Sequence, residues 1–240
     1  MTAGERLHVP RLESIAIDGP AASGKSTLAE RLAEALGFLY FDTGVMYRAV
    51  TLAALRSGID PEDEAMVSDL ARGLALDVQP PSKDDGRQYD VLMDDQDVTW
   101  DIRTPEVDAN VSLVSSYPGV REAMTHRQRE IGMRGKIVMV GRDIGTVVLP
   151  EADIKLYLDA SVKARAKRRF EECQQRGDPV VLDEVLAGMK ERDRFDSTRS
   201  LAPLRPAKDA FVLDSTYLDI EQVVLAALQI IRSWSADDAL

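Results

Sequence analysis

Apolar residues in this chain gather in short runs, set apart by longer stretches in which they recur every three or four positions. The short runs are Ser14-Ile15-Ala16-Ile17-Asp18, Phe38-Leu39-Tyr40-Phe41, Lys136-Ile137-Val138-Met139-Val140, Ile154-Lys155-Leu156-Tyr157-Leu158 and Ala210-Phe211-Val212-Leu213. Most are rich in aliphatic and aromatic residues, which predicts strands of a parallel sheet covered on both faces. Between the first two, Ser26 to Leu36 places Leu28, Leu32, Ala35 and Leu36 at helical spacing. Ser161 can cap a helix running to about Arg176. Asp219 with Gln222 reads as a capping arrangement for a last helix through Val223, Ala227 and Ile230. The expected class is α/β.

One segment breaks this rhythm. From about Leu74 to Trp100 the chain carries Pro80-Pro81, Lys83-Asp84-Asp85-Gly86-Arg87, the run Tyr89 to Met93, an Asp94-Asp95 turn and a further short run at Val98 to Trp100. These features predict a small antiparallel insert. Its acidic residues read as a solvated hairpin face rather than a metal site. A chain of 240 residues has room for one generous core and this smaller appendage.

Composition narrows the partners. The formal net charge of −11 opposes a surface that coats nucleic acid, so each local basic cluster needs its own explanation. Cys173 is the only cysteine, which rules out an intramolecular disulfide or a cysteine metal cluster. No apolar run reaches the length of a membrane span, and the N-terminal stretch with Glu5, Arg6 and His8 lacks a signal-peptide core. The expectation is a soluble protein in the reducing cytoplasm.

The candidate chemistry begins at Gly19-Pro20-Ala21-Ala22-Ser23-Gly24-Lys25-Ser26-Thr27, which satisfies the spacing of a phosphate-binding loop. The preceding strand and following helix supply the context the motif requires. Glycines at 19 and 24 let successive N–H groups converge on phosphate oxygens above a helix N-terminus. Lys25 can reach the outer phosphates and the Ser26 hydroxyl can ligate magnesium. The bland alternative is a glycine turn with an incidental lysine.

Other charged residues follow the strands. Thr43 and Arg48 follow the second, Arg142 and Asp143 the third, and Arg121 lies in a helix-prone stretch between. Ligands of open α/β sheets gather beyond the carboxyl ends of the strands, so Thr43, Arg48, Arg142 and Asp143 are expected near the loop, where the arginines can clamp a second phosphate. Surface ion pairs are the competing explanation for any one of them. Arg165, Arg168 and Arg169 are interleaved with Lys163 and Lys167. Arg192, Asp196 and Arg199 share a face if their helix continues that far, with an Arg192–Asp196 surface pair as the plain alternative.

In this order the sequence resembles the bacterial-type cytidylate kinases, from about Ile15 to Trp234. The carriers are Ile17-Asp18-Gly19-Pro20, Asp42-Thr43-Gly44 with Tyr47-Arg48, Ile102-Arg103-Thr104, Gly141 to Val148, Lys190-Glu191-Arg192-Asp193, Ala202-Pro203-Leu204 and Leu213-Asp214-Ser215-Thr216. The resemblance implies a P-loop kinase fold with a five-stranded parallel sheet, helices on both faces, a small β insert in the monophosphate-binding region and a helical lid. It implies one kinase unit over 12–240 after a tail at 1–11: a core of 12–60, 136–160 and 205–240, a monophosphate-binding region of about 61–135, and a lid of about 161–180. It also implies transfer of a phosphoryl group from ATP, with Mg2+, to CMP or dCMP, by a monomer whose partners are small nucleotides.

Carried over residue by residue, the resemblance gives Gly19 to Thr27 to ATP, with Lys25, Arg142, Arg165, Arg168 and Arg169 as catalytic charges and Ser26 at the metal. Arg48 and Arg142 resemble clamps for the acceptor phosphate. Ser112, Arg121, Asp143 and Arg199 resemble cytosine-side contacts, and Arg192 and Asp196 ribose contacts. Thr43 stands where Ser is common, and its hydroxyl can still serve. Val140 stands where an acidic residue is common, so any contact of that carboxylate is absent. A kinase for UMP or shikimate is the rival of the same class. A regulatory nucleotide-binding module is the rival of another class, and it leaves the strand-end arginines unexplained.

Overall fold

The computed structural model describes residues 9, 11–176, 179–199 and 201–237. The expected tail at 1–11 lies outside them except at positions 9 and 11, as does His8. In chain order the elements are β1 (Ser14–Asp18), α1 (Lys25–Leu36), β2 (Leu39–Asp42), α2 (Gly44–Arg56), α3 (Glu64–Gly73), β3 (Leu76–Gln79), β4 (Asp90–Met93), β5 (Gln96–Asp97), α4 (Pro105–Val114), α5 (Pro118–Gly132), β6 (Ile137–Val140), β7 (Ile154–Asp159), α6 (Val162–Arg176), α7 (Leu182–Thr198), β8 (Phe211–Asp214) and α8 (Ile220–Asp237). A 3-10 turn at Asp101–Arg103 and a π-helical turn at Ile144–Val148 complete them. No helix among the described residues is long and apolar enough to cross a membrane.

The expected α/β class and five-stranded sheet are found, with strand order β2-β6-β1-β7-β8. Strand β1 pairs parallel with β7 in the register Ile15 to Ile154 and Asp18 to Tyr157, and β7 pairs parallel with β8. Ile15, Ala16 and Ile17 are fully buried, as an uninterrupted apolar run in a covered sheet requires.

The chain forms two compact units, Met1–Phe38 with Val138–Leu240, and Leu39–Ile137. In the first, α1 buries Leu28, Ala29, Leu32, Ala33 and Leu36, the face that the spacing predicts. Ser161 caps α6 by accepting from the Ala164 N–H at 3.3 Å. Asp219 and Gln222 cap α8 reciprocally, each side chain accepting from the other's N–H at 2.8 and 3.0 Å.

In the second unit α2 buries Val45, Met46, Ala49 and Val50. The expected insert is a three-stranded antiparallel sheet in which Leu76 faces Met93 and Val78 faces Val91. Its last strand lies at Gln96–Asp97 rather than Val98–Trp100, because the turn at Asp94 and Asp95, both at positive φ, is only two residues long and β5 starts directly after it. The acidic residues are not a simple solvated face. Arg87, with its side chain 2% exposed, bonds Asp85 at 2.7 Å, Asp90 at 2.8 Å and Asp97 at 2.8 Å. Trp100 donates to Asp85 at 3.0 Å and Lys83 to Asp97 at 2.9 Å. Hydrogen bonds from Arg87 hold the Asp85 and Asp97 carboxyls well below the usual carboxylate range. Among the described residues no group of three or more His, Cys, Asp or Glu could hold a metal ion.

Arg87→Ala removes the one cation on which three carboxylates converge, so their mutual repulsion should open the insert locally. Hydrogen exchange is expected to accelerate at Val78 and Val91 while α1 keeps its protection. Unchanged exchange at those two amides would show that strand pairing alone holds the insert.

Candidate active site

Strand β1 ends at Asp18, and the chain turns at once through Gly19. A methyl group on Gly19 would lie 2.1 Å from the Leu158 carbonyl oxygen, and its φ of 148° is one that residues with a side chain rarely adopt. Only glycine lets the loop cross the end of β7 this closely. Gly24, at φ 98°, opens α1, whose first turn holds no acidic residue. The positive dipole end of that helix therefore favours an anion. Lys25 is buried, and its Nζ donates to the Pro20 carbonyl at 2.6 Å and to Ser23 Oγ at 3.4 Å. The loop lines a cavity of about 930 Å³ with Arg168, Arg169, Arg192, Ser215 and Val223 among its walls.

The three arginines of α6 have three different surroundings. Arg165 is buried: it bonds both oxygens of Asp193 at 3.0 and 2.6 Å and the carbonyls of Ala160 and Ala21 at 2.8 and 3.2 Å. Arg168 donates to the Ser23 carbonyl at 3.3 Å and to Ser215 Oγ at 3.1 Å. Arg169 pairs with Glu172 at 3.3 Å on the surface. Ser215 Oγ also lies 3.1 and 3.0 Å from the carbonyl oxygens of Ser23 and Asp159, to either of which its one proton can go, and this makes it a brace of the loop. Sequence reasoning quoted Ser215 within a motif but gave it no role. A small hydroxyl just past the end of a strand was the available signal.

The stretch after β6 begins with the Gly141 N–H donating to the Ile17 carbonyl at 3.1 Å. Arg142 donates to Asp196 at 3.0 Å, and Arg199 lies 4.0 Å from Asp196 and 3.6 Å from Asp143. Helix α7 ends at Thr198, so Arg199 sits just beyond it, where its Nε donates to the Ala202 carbonyl at 2.6 Å. Asp196 thus turns to Arg142 and Arg199, a different arrangement from the plain Arg192–Asp196 surface pair. Arg192 keeps an exposed face, yet the protein crowding its guanidinium and the charge of Arg142 hold its pKa below the ordinary value. An anion beside Arg192 would offset the charge of Arg142.

The remaining expected residues belong to the second unit. Thr43 is buried just before α2. Arg48 donates to the Ile102 carbonyl at 3.1 Å and pairs with Asp108 at 2.6 Å. Thr104 caps α4, accepting from the Val107 N–H at 3.4 Å, and so fixes the helix that carries Asp108 and the exposed Ser112. Arg121 is buried and stacks 5.7 Å from the Tyr47 ring centre, with its Nη1 donating to the Ser115 carbonyl at 3.4 Å. Helix α2 is thereby the common support of Arg48, Arg121 and the Ser112 helix.

The sequence profile of the cytidylate kinase family matches residues 15–233. The chain belongs to the cytidylate kinase family. A cytidylate kinase of Chloroflexus aggregans is 52% identical to it over 231 residues, 96% of this chain and 98% of the relative. One from Solibacter usitatus is 49% identical over 221 residues, 91% of this chain and 92% of the relative. An uncharacterized protein from Eubacterium ventriosum has a similar fold, with a TM-score of 0.51 at 12% identity over 92% of this chain and 99% of that one. The protein is accordingly a kinase that phosphorylates nucleoside monophosphates.

The family implies nucleotide-dependent phosphoryl transfer, and the residues present fit a phosphate with a magnesium ion: Gly19 shapes a turn that a Cβ would block, the N-terminus of α1 behind it favours an anion, and Ser26 supplies a hydroxyl at the first turn of that helix. Beneath them lies a group the sequence reading gave no role. Asp18 is 3% exposed and accepts from the N–H groups of Ile144 and Gly145 at 2.8 and 2.7 Å. An acid ending an apolar strand was the only sequence signal.

Burial pushes the Asp18 carboxyl up to about 6 from 3.8. The two N–H groups and Lys25 oppose the rise, while Asp143 adds to it. Burial, with the charges of Asp159 and Asp18 beside it, likewise pushes the Tyr157 hydroxyl up to about 12. Because the folded state binds the Asp18 proton more tightly than the unfolded chain, the stability it contributes is full below pH 3.8 and is lost as pH rises through about 6. Asp18→Asn cannot titrate, so the stability of the wild type relative to that variant should fall by about 1 kcal/mol between about pH 5 and about pH 7. Urea unfolding of both proteins at the two pH values measures it. A difference that stays constant, or grows, with pH would contradict the assignment.

Proposed function

We propose that the protein transfers the γ-phosphoryl group of ATP to CMP and dCMP by direct in-line displacement, giving ADP with CDP or dCDP. The observation that carries this reading is the phosphate loop whose cavity is walled by Arg168, Arg169 and Arg192, in a chain matched to the cytidylate kinase family across its length. Phosphoryl transfer of this kind asks for alignment and neutralised charge more than for covalent catalysis. In the proposal, residues Gly19 to Thr27 hold the ATP phosphates, with Lys25 as a fixed charge. Mg2+, held with the Ser26 hydroxyl, would supply further neutralisation of the phosphate oxygens. Arg142, Arg165, Arg168 and Arg169 are the other catalytic cations. Exchange of the Arg165 bond to Asp193 for one to phosphate is the motion this role requires.

For the acceptor, the proposal gives the phosphate of CMP to Arg48 and Arg142, and the ribose to Arg192 and Asp196. The base falls to Ser112, Arg121, Asp143 and Arg199, and Thr43 is a further CMP contact. The protein would act as a monomer on free nucleotides in the cytoplasm. A net charge of −11 supports small substrates with local cation clusters over a nucleic-acid polymer. A coupled ADP-release assay with ATP and a panel of monophosphates tests the whole reading, and ADP formation independent of acceptor would end it.

Lys25→Ala should lower turnover about a hundredfold or more, since a preorganised charge facing the transferring group contributes about 3 kcal/mol. The fold should survive, as circular dichroism can check. A near-normal rate in the folded variant would remove Lys25 from the mechanism.

Base choice rests on Asp143. An ionised carboxylate only accepts hydrogen bonds, so it takes one from the cytosine 4-amino group and repels the uracil 4-oxygen. That contrast is worth roughly 1 to 3 kcal/mol. Asp143→Asn offers either a donor or an acceptor, and is expected to lose CMP efficiency and narrow the gap to UMP. The ratio of kcat/KM for CMP and UMP in the two proteins decides it. An unchanged ratio would move base reading to Ser112, Arg121 or Arg199.

A further inference from the structure

The stretch that carries Arg142 and Asp143 runs directly into the π-helical turn at Ile144–Val148. Within that turn the Val147 and Val148 N–H groups both donate to the Asp143 carbonyl, at 2.9 and 3.2 Å, and Leu149 N–H donates to the Ile144 carbonyl at 2.7 Å. The N–H groups of Ile144 and Gly145 begin the turn and have no acceptor inside it, as at the start of any helix. Both residues are buried, so these donors need a protein partner. Asp18 supplies it for both, at 2.8 and 2.7 Å, from the last position of β1. The fit is close, since a Cβ on Gly145 would lie 3.4 Å from Asp18 Oδ2 and 3.2 Å from Cδ of Lys155.

We infer that Asp18 is a positioning residue: by gripping two successive backbone N–H groups, it fixes the stretch that presents Arg142 and Asp143 to the end of the strand that leads into the phosphate loop. The inference rests on the reading of Arg142 and Asp143 as CMP contacts. Two features favour a positioning role over a merely stabilising one. Only a carboxylate offers an acceptor oxygen to each of two adjacent donors without a donor of its own. Moreover, this carboxylate is retained where burial disfavours its charge, which is a cost to the folded state rather than a gain. Asp18 itself touches no substrate in this account. It acts through the Asp143–Gly145 backbone, and a shift there displaces the Arg142 and Asp143 side chains together.

Asp18→Asn keeps the volume but turns a donor toward one of the two N–H groups. The KM for CMP is expected to rise about tenfold or more, the lost charge-assisted bond setting the scale, and the preference for CMP over UMP should narrow. The KM for ATP should stay within about twofold, and exchange of the Ile144 and Gly145 amides should accelerate about tenfold. Should that variant fail to fold, Gly145→Ala wedges a methyl group between Asp18 and Lys155 and should give the same selective rise in KM for CMP. Equal rises for CMP and ATP, or unchanged CMP constants despite lost amide protection, would overturn the inference. Comparison with Asp143→Asn locates such a failure. If that variant alters base choice and Asp18→Asn does not, the positioning idea falls by itself; if both are silent, the reading of this stretch as a CMP site falls with it.

Discussion

The close approach of Gly19 to the Leu158 carbonyl is the constraint on which the first unit depends. A side chain there would lie 2.1 Å from a backbone oxygen that has no freedom to move, because β1 and β7 are hydrogen-bonded neighbours through Asp18 and Tyr157. With the loop seated on the end of β7, the residues that follow that strand become its support. Asp159 and Ser215 meet beside it, and Ser215 in turn reaches the Ser23 carbonyl. Helix α6 starts three residues later and sends Arg165 to the Ala21 carbonyl and Arg168 to the Ser23 carbonyl. Loop shape and arginine placement are thus one arrangement, fixed by the absence of a single methyl group.

Electrostatics explain how so acidic a chain can attract phosphates. The excess of carboxylates is not spread evenly: Asp193 and Asp196 hold Arg165 and Arg142 in place, while Arg87 gathers three aspartates in the insert. At Arg192, burial and the neighbouring charge of Arg142 lower the guanidinium's proton affinity, and a dianionic ligand there would offset the charge of Arg142. Surface pairs such as Arg169–Glu172 and Arg194–Glu191 carry little by comparison, because water screens them.

What could be read from sequence was whatever depends on neighbours. The strand runs, the phosphate loop and both helix caps involve residues a few positions apart, and each stands within a residue or two of where the pattern puts it. The Asp219–Gln222 cap is the clearest case, since both of its bonds span three residues. Grips across long separations were illegible. Asp18 meets Ile144 across 126 positions and Arg165 meets Asp193 across 28, and no periodicity ties such pairs together. Arg87 was hidden for another reason: its acidic partners are local, but the pattern of a charge run looks the same whether the carboxylates face water or one buried guanidinium.

The departure at Val140 now has a physical context. Val140 is 2% exposed at the end of β6, and the next residue, Gly141, donates to the carbonyl of Ile17, immediately before Asp18. An acidic side chain here would add a like charge to a region in which Asp143 already raises the cost of ionising the buried Asp18. A third buried carboxylate would need its own cation or a proton. Valine instead gives β6 an apolar end and leaves the Asp18 grip and the Asp143 carboxylate with one less like charge to oppose them.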